Sequence, residues 1–164
     1  MSIVKSKDFI ELKFTGYVNG EPFDSNIPED LKKINPEAEP RKTIVSVGQG
    51  MLVKGFDSAL PEKEIGKEYE IHVSPKEGFG ERNRNHVKTI PLKVFTQQRI
   101  NPVPGATLSM DNILVKIIAV SGARVITDFN HPLSGKELTY RFTITRKVDD
   151  DKEKSEAFFE FFFR

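Results

Sequence analysis

The strongest constraint in this sequence is the two-residue alternation of apolar and polar side chains. Residues 9–18, FIELKFTGYV, alternate in this way and are followed by Asn19-Gly20, the dipeptide most typical of a tight hairpin turn. Residues 67–74 alternate again and end at Ser74-Pro75. Because successive side chains of a strand point to opposite faces of a sheet, these segments predict an antiparallel sheet with one buried face.

Shorter elements complete the predicted sheet. Its other strands are predicted at residues 21–24, 43–48 and 136–147. Residues 25–42 contain three prolines and many charges, so they predict an exposed connection, with one helical turn at 29–33. Residues 55–61 carry apolar side chains at helical spacing and predict a short helix that ends at Pro61.

A separate unit is predicted before the last strand. Residues 81–88, ERNRNHVK, are polar and basic, and a short helix is predicted at 93–99. Three more strands are predicted at 106–110, 113–120 and 123–128. A unit that interrupts another sheet gives a discontinuous two-domain layout. We therefore expect one domain made of 1–83 and 128–148, an inserted domain at 84–127, and a tail at 149–164.

Composition excludes several classes of function. The 164-residue chain has 25 Lys and Arg against 24 Asp and Glu, so no field of one sign attracts nucleic acid. It has no cysteine, which excludes thiol nucleophiles, iron–sulfur clusters and disulfides. The N-terminal segment lacks the apolar run of a signal peptide, and no segment approaches the roughly 20 apolar residues of a membrane span. We expect a cytoplasmic protein with neither a nucleic-acid nor a membrane partner.

The catalytic inventory that remains is small. His72, His86 and His131 lack the spacing of metal ligands, so we expect no metal site. Nucleophile-elbow and phosphate-loop motifs are absent, and Gly48-Gln49-Gly50 lacks the third glycine of a dinucleotide site. We therefore expect no cofactor. If the chain is an enzyme, its chemistry must need little more than a shaped apolar pocket.

Four stretches of sequence carry a family resemblance. They are residues 14–25, FTGYVNGEPFDS; residues 47–57, VGQGMLVKGFD; residues 64–67 with 74–80, EIGK and SPKEGFG; and residues 128–136, DFNHPLSGK. In this order, across about residues 8–148, they resemble the FKBP-type peptidyl-prolyl isomerases. The resemblance is to the SlyD-like branch, which has an insert-in-flap domain. The nickel-binding tail of His and Cys that is typical of that branch is absent here.

The resemblance implies an FKBP-like fold of the mainly β, α+β class. In that fold an antiparallel half-barrel wraps around one short helix, and a small β-rich domain is inserted. It also implies a peptidyl-prolyl cis-trans isomerase that works without a covalent step or a cofactor, on unfolded or partly folded polypeptides that contain proline. The insert is similar to a chaperone-like domain. We expect it to bind these clients through exposed side chains at Ile90, Leu92, Val94 and Phe95.

Nine residues are expected to form the prolyl pocket, by their positions in the family. They are Phe14, Phe23, Asp24, Leu52, Val53, Phe56, Phe79, Leu133 and Tyr140. Each apolar member has a second interpretation as a core residue, because the inside of a half-barrel must be filled. This applies most to Phe56, in the first turn of the predicted helix. Asp24 is either a hydrogen-bonded carboxylate inside an apolar hairpin or an exposed turn residue.

Two pocket positions depart from the family pattern. Phe14 and Phe79 stand where the family usually has tyrosine, and the hydroxyl at the Phe79 position usually donates to the substrate carbonyl. Its loss removes about 0.5–1.5 kcal/mol of binding, so we expect a weaker pocket and poor affinity for macrolide inhibitors. The departure keeps a second function open, namely a non-catalytic holdase chaperone or peptide-binding module. A small-ligand barrel is a third interpretation, which the insert and the short helix do not fit.

The tail lies outside the resemblance. Residues 149–156, DDDKEKSE, are almost all charged and are expected to be solvated and flexible. Residues 157–164, AFFEFFFR, concentrate five of the 13 phenylalanines, which is unfavourable in water. Three outcomes are expected for this segment: self-association with a neighbouring molecule, docking on its own chain, or disorder at the end of a truncated chain.

Overall fold

The computed structural model describes residues 2–162, which form two structural units. Residues up to Phe79 and from Lys136 onward form the first unit, and Gly80–Gly135 form the second. The strands are β1 Phe9–Val18, β2 Glu21–Ser25, β3 Thr43–Ser46, β4 Glu68–Val73, β5 Val87–Pro91, β6 Thr107–Met110, β7 Ile113–Ser121, β8 Arg124–Asp128 and β9 Leu138–Val148. The helices are α1 Pro28–Ile34, α2 Lys54–Ala59, α3 Leu92–Gln97 and α4 Asp151–Phe162. No helix within the described residues is long and apolar enough to cross a membrane.

The first unit is an antiparallel sheet that packs on helix α2. Its strand order is β2-β1-β9-β4, and β3 pairs with the first half of β1, whose second half pairs with β2. The alternation in β1 sends Ile10, Leu12 and Phe14 into the core, each at most 8% exposed. Asn19 and Gly20 adopt the positive φ angles of 51° and 80° that the tight hairpin needs. These observations confirm the mainly β, α+β class that the sequence predicted.

Side-chain hydrogen bonds fasten the segment after β2 to the edge of β1. The Asn26 amide oxygen accepts from Phe14 N at 2.9 Å, and its Nδ2 donates to Leu12 O at 2.7 Å. Thr15 Oγ1 donates to the Asp30 carboxylate in α1 at 2.7 Å. These polar groups bond the edge of β1 where its pairing changes from β3 to β2, and they hold α1 beside β1.

The second unit is a four-stranded antiparallel sheet with helix α3. Its strand order is β5-β8-β7-β6, and its core contains Phe95, Ile117 and Val125, all fully buried. Strand β5 is a difference from the sequence prediction, which assigned residues 81–88 to a polar connection. Pro91 has no amide N–H to donate, and β5 tolerates it because β5 is an edge strand.

The predicted client-binding residues of this unit need a correction. Phe95 was expected to be exposed, but its side chain is fully buried and forms the centre of the small core. Ile90 and Leu92 are half-buried and pack against that core, and Val94 is half-buried. The sequence pattern identified an apolar cluster correctly, but it did not show that a unit this small needs that cluster to fold.

The tail also differs from its prediction. Residues 151–156 were expected to be flexible, yet they form the first half of α4. The Asp150 carboxylate accepts from Lys152 N at 3.2 Å, which satisfies a donor in the first turn of that helix. The final two residues of the predicted Phe-rich segment, Phe163 and Arg164, lie outside the described residues.

Replacing Phe95 with alanine should unfold the second unit and leave the first intact. Truncating a buried phenylalanine costs about 3–5 kcal/mol, which is a large fraction of what a small core supplies. Amide hydrogen exchange should therefore lose protection in β7 and β8 and keep it in β1 and β9. Val103→Ala is the control, because Val103 is 51% exposed. Equal protection in the two variants would contradict this assignment of the core.

Candidate active site

Two buried aromatic rings form the floor of the predicted pocket. Phe56 lies in the first turn of α2, and its ring centroid lies 4.5 Å from that of Tyr140 on β9. Phe14 of β1 lies at the side of this pair, 5.9 Å from Phe56 and 6.4 Å from Tyr140. The three side chains are 1%, 4% and 8% exposed for Phe56, Tyr140 and Phe14. The floor is therefore both a part of the core and a surface from which water is largely excluded.

Phe23 and Phe79 form an aromatic rim. Both are half-buried, and their rings meet edge to face with centroids 6.1 Å apart. Phe23 also contacts Tyr140 edge to face, at 5.8 Å. Five of the predicted residues thus form one continuous aromatic cluster. Its ring pairs combine edge-to-face contacts, which aromatic rings prefer, with the tilted contacts that Tyr140 makes with Phe14 and Phe56.

A hydrogen-bonded loop positions Leu52 and Val53. The buried carboxylate of Asp57 in α2 accepts from Gly48 N at 2.8 Å and from Gly50 N at 3.1 Å. Both glycines have positive φ angles, 79° and 73°, which other residues rarely adopt. Val53 N-caps α2, and its carbonyl accepts from Phe56 N and Asp57 N. The same helix therefore supplies the ring of the floor and the anchor of the loop beside it.

Asp24 is exposed, in agreement with the surface interpretation of its position. It nevertheless lies close enough to the floor to affect it. Burial raises the pKa of the Tyr140 phenol, and the negative charge of Asp24 raises this pKa further. Tyr140 therefore stays protonated to a higher pH than an exposed tyrosine does.

Sequence reasoning missed Gly16, although the cluster depends on it. A Cβ on Gly16 would lie 2.8 Å from Phe23 Cζ and 2.8 Å from Tyr140 Cε1, closer than real Cβ contacts. Gly16 sits opposite Tyr140 in the β1–β9 register and opposite Asp24 in the β1–β2 register. The available signal was a glycine at the centre of a strand, which often marks a close approach.

A cavity of about 520 Å³ opens on one flank of this cluster. Phe14, Asp24 and Leu52 line it, together with residues of β3 and α4. Phe56, Phe79 and Tyr140 lie outside its lining. Leu133 belongs to the second unit, where its backbone N–H donates to His131 Nδ1 at 3.1 Å, so its place in the pocket stays a prediction.

The described residues contain no group of three or more His, Cys, Asp or Glu side chains close enough to hold a metal ion.

Comparisons with known proteins identify the family. A model described as FKBP-type peptidyl-prolyl cis-trans isomerase matches residues 2–99, and a model of the FKBP26 IF domain matches residues 88–133. A short-type peptidyl-prolyl cis-trans isomerase of Methanocaldococcus jannaschii is 33% identical over 153 residues, which cover 92% of this chain and 95% of that protein. The chain belongs to the FKBP-type peptidyl-prolyl cis-trans isomerase family.

Two further matches complete the comparison. The isomerase SlyD of Helicobacter pylori is 27% identical over 154 residues, 91% of this chain and 77% of that one. A crystal structure of AtFKBP13 covers 89% of this chain and 82% of that one, with a TM-score of 0.47 and 15% identity. The family model and the SlyD relatives confirm the SlyD-like branch. This chain is therefore an FKBP-type isomerase, and the match to the IF-domain model falls inside its second unit.

Gly16→Ala should disturb the aromatic cluster of the isomerase without changing any polar group. The added methyl group has no room, so the rings of Phe23 and Tyr140 must move, at a cost of about 1–3 kcal/mol. Thermal unfolding should occur at a lower temperature, and the aromatic proton resonances of both rings should shift. A variant with unchanged stability and unchanged ring resonances would show that the cluster is looser than described.

Proposed function

We propose that this isomerase accelerates X–Pro isomerisation in unfolded or partly folded polypeptides, and that its second unit holds those clients as a chaperone. The observation that carries the first half is the cluster of Phe14, Phe23, Phe56, Phe79 and Tyr140, which forms an apolar surface for a prolyl ring. Leu52 and Val53 extend this surface on the loop that Asp57 anchors. Leu133 is part of the same proposal.

The reaction needs no nucleophile and no cofactor. Rotation about the X–Pro bond breaks no σ-bond, and its barrier of about 18–20 kcal/mol is the loss of amide resonance. Without a catalyst, rotation takes tens to hundreds of seconds. A catalyst therefore needs only to bind the twisted amide better than the planar one.

The pocket provides this preference through its environment. Twisting the amide removes conjugation, so the carbonyl becomes less polar and the nitrogen more basic. A planar, polar amide loses favourable hydration when it enters a water-poor aromatic site, whereas the less polar twisted form loses less. The water-poor floor of Phe56 and Tyr140 thus lowers the barrier to rotation. Contacts with the client residues that flank proline offset the cost of twisting the amide.

Asp24 contributes charge at the edge of this apolar surface. Asp24 lines the cavity beside Phe14 and Leu52, and its charge adds to the effect of burial in raising the pKa of Tyr140. In the proposed reaction, its negative charge favours the partly positive character of the amide N–H that follows proline in the client. Replacing Asp24 with asparagine removes this charge and keeps the volume of the side chain.

The second unit has an apolar surface suited to unfolded chains. Leu114 and Ile118 on β7 lie on the side of the strand opposite the buried Val115 and Ile117, on either side of Lys116, and they are 52% and 41% exposed. Exposed apolar groups this close together are typical of an interaction surface. We propose this β7 face as the client-binding surface, in place of the cluster around Phe95. Holding a client on the same chain as the pocket raises the local concentration of its prolines.

Refolding of a protein whose folding is limited by proline isomerisation tests the proposed function. At substoichiometric amounts the isomerase should increase the refolding rate, because each molecule acts on many clients. A holdase without catalysis would protect clients from aggregation only near stoichiometric amounts and would leave the rate unchanged. That second result would overturn the proposal for protein clients.

Asp24→Asn should keep the fold and lower the isomerisation rate on a tetrapeptide several-fold, since the charge is removed at constant volume. Glu21→Gln is the matched control, because Glu21 is an exposed carboxylate on the same strand. The protease-coupled peptide assay measures both variants. An unchanged rate in Asp24→Asn would make Asp24 a surface residue without a part in catalysis.

The double variant Leu114→Ser/Ile118→Ser should weaken binding of an unfolded protein by about tenfold, because two exposed apolar contacts are lost. Isomerisation of a tetrapeptide should stay within about twofold of the original, since a short peptide needs only the pocket. Ile34→Ser, an exposed apolar residue of the first unit, serves as the control. Unchanged binding of the unfolded protein would exclude the β7 face as the client surface.

A further inference from the structure

Helix α4 packs on its own chain through one aromatic face. The ring of Phe158 lies 5.4 Å from that of Phe9 at the start of β1, and Lys154 Nζ lies 5.5 Å above the Phe9 ring. Phe158 and Phe162 stack at 5.7 Å along the same face. The three α4 residues, Lys154, Phe158 and Phe162, are spaced by four residues, as expected for one side of a helix.

An ion-pair network fixes the first turn of α4. Glu153 accepts from Arg146 Nη2 at 2.6 Å and from Lys42 Nζ at 3.0 Å, and Arg146 also pairs with Glu11 at 3.2 Å. The hydrogen bonds from Arg146 and Lys42 lower the pKa of Glu153 to about 2. The network joins α4 to β1, to β9 and to the segment before β3. The helix is therefore held at a defined place beside the sheet.

A second face of α4 forms a wall of the cavity beside the prolyl pocket. Glu153, Ala157, Glu160 and Phe161 recur at helical spacing and line the same cavity as Phe14, Asp24 and Leu52. The cavity of about 520 Å³ stays open between them. This volume lies in the range of ligand sites, so α4 borders a binding space and does not fill it.

We propose that Phe161 is a substrate-contacting residue of this isomerase, which binds an apolar side chain next to the proline of the client. The proposal rests on the proposed prolyl pocket and names a further residue for the same groove. A client chain with its proline at the Phe14 flank continues through the cavity that Phe14, Asp24 and Leu52 line. Phe161 is the aromatic side chain that α4 contributes to that cavity.

The side chain of Phe161 is partly exposed and lies where a client in the cavity would contact it. Phe161 is 37% exposed, so part of its ring is available to a ligand, whereas Phe158 is occupied by Phe9. Leu52, Met51 and Ile44 provide other apolar lining of the cavity. An apolar client side chain placed there would gain contacts with Phe161 and with this lining. A glycine at the same client position would gain none of them.

The experiment compares Phe161→Ala with Phe159→Ala on two fluorescent tetrapeptides. One peptide carries leucine directly before its proline and the other carries glycine at the same position. Phe159 is the matched control, because it is a phenylalanine of the same helix, 63% exposed, that lines the opposite face with Phe158. Fluorescence anisotropy measures Kd, the peptide assay measures KM and kcat, and circular dichroism checks that α4 remains folded.

We expect Phe161→Ala to raise Kd and KM for the leucine peptide by roughly three- to tenfold and to leave kcat within about twofold. The glycine peptide should be unaffected, and Phe159→Ala should behave as the original chain with both peptides. Phe161→Leu should recover most of the affinity for the leucine peptide, because it keeps an apolar side chain at the site.

Three results would overturn the proposal. The first is an equal loss of affinity for the leucine and glycine peptides in Phe161→Ala, and the second is an unchanged affinity for the leucine peptide in that variant. The third is tighter binding of the leucine peptide in Phe161→Ala, which would make α4 an inhibitory element. Measuring peptide affinity and isomerisation rate separately distinguishes a failure of this inference from a failure of the proposed function. If peptide binding depends on Phe161 but no isomerisation is detected, only the proposed catalysis is contradicted. If isomerisation occurs and peptide affinity does not depend on Phe161, only this inference is contradicted.

Discussion

The packing of Phe56 against the sheet is the interaction on which the first unit depends. Its ring lies 4.5 Å from Tyr140 and 5.1 Å from Phe142, two inward-facing residues of β9. Strand β9 pairs with both β1 and β4, so this contact joins α2 to the centre of the sheet. Truncating such a ring costs about 3–5 kcal/mol, comparable to much of the stability of a small domain. The core and the floor of the proposed pocket are thus one structure.

Helix α2 also connects this core to the loop that borders the pocket. Asp57 follows Phe56 directly, and its carboxylate holds the backbone of Gly48 and Gly50. The placement of Leu52 therefore depends on the same short helix as the placement of the Phe56 ring. This coupling explains how a helix of six residues orders two sides of a site. It also explains why the two interpretations of Phe56, as a core residue and as a pocket residue, are compatible.

Local patterns predicted most of the first unit. Residues 9–18 were predicted as a strand with the bounds that β1 has, because alternation and the Asn-Gly turn are local signals. The aromatic cluster was predicted through the family resemblance. Gly16 was missed because its importance lies in close contacts with Phe23 on β2 and Tyr140 on β9, and a local pattern does not show contacts between strands.

The rest depended on tertiary contacts. In the second unit, the sequence predicts Phe95 as an exposed binding residue, but the structure buries it, because periodicity alone does not tell which apolar residues a small sheet buries. Strand β5 was missed because its partner, β8, lies more than thirty residues further along the chain. The helical form of 151–156 depends on Arg146 and Lys42, and no pattern within the tail indicates those partners.

In the proposed reaction, a prolyl residue binds on the aromatic floor and isomerises there. Two-dimensional NMR exchange spectroscopy of an X–Pro tetrapeptide with substoichiometric protein tests it most directly. The account predicts faster cis–trans exchange, together with intermolecular NOEs from the proline ring protons to the rings of Phe14, Phe56 or Tyr140. Faster exchange with proline NOEs only to residues of the second unit would contradict it, as would an exchange rate equal to that of the free peptide.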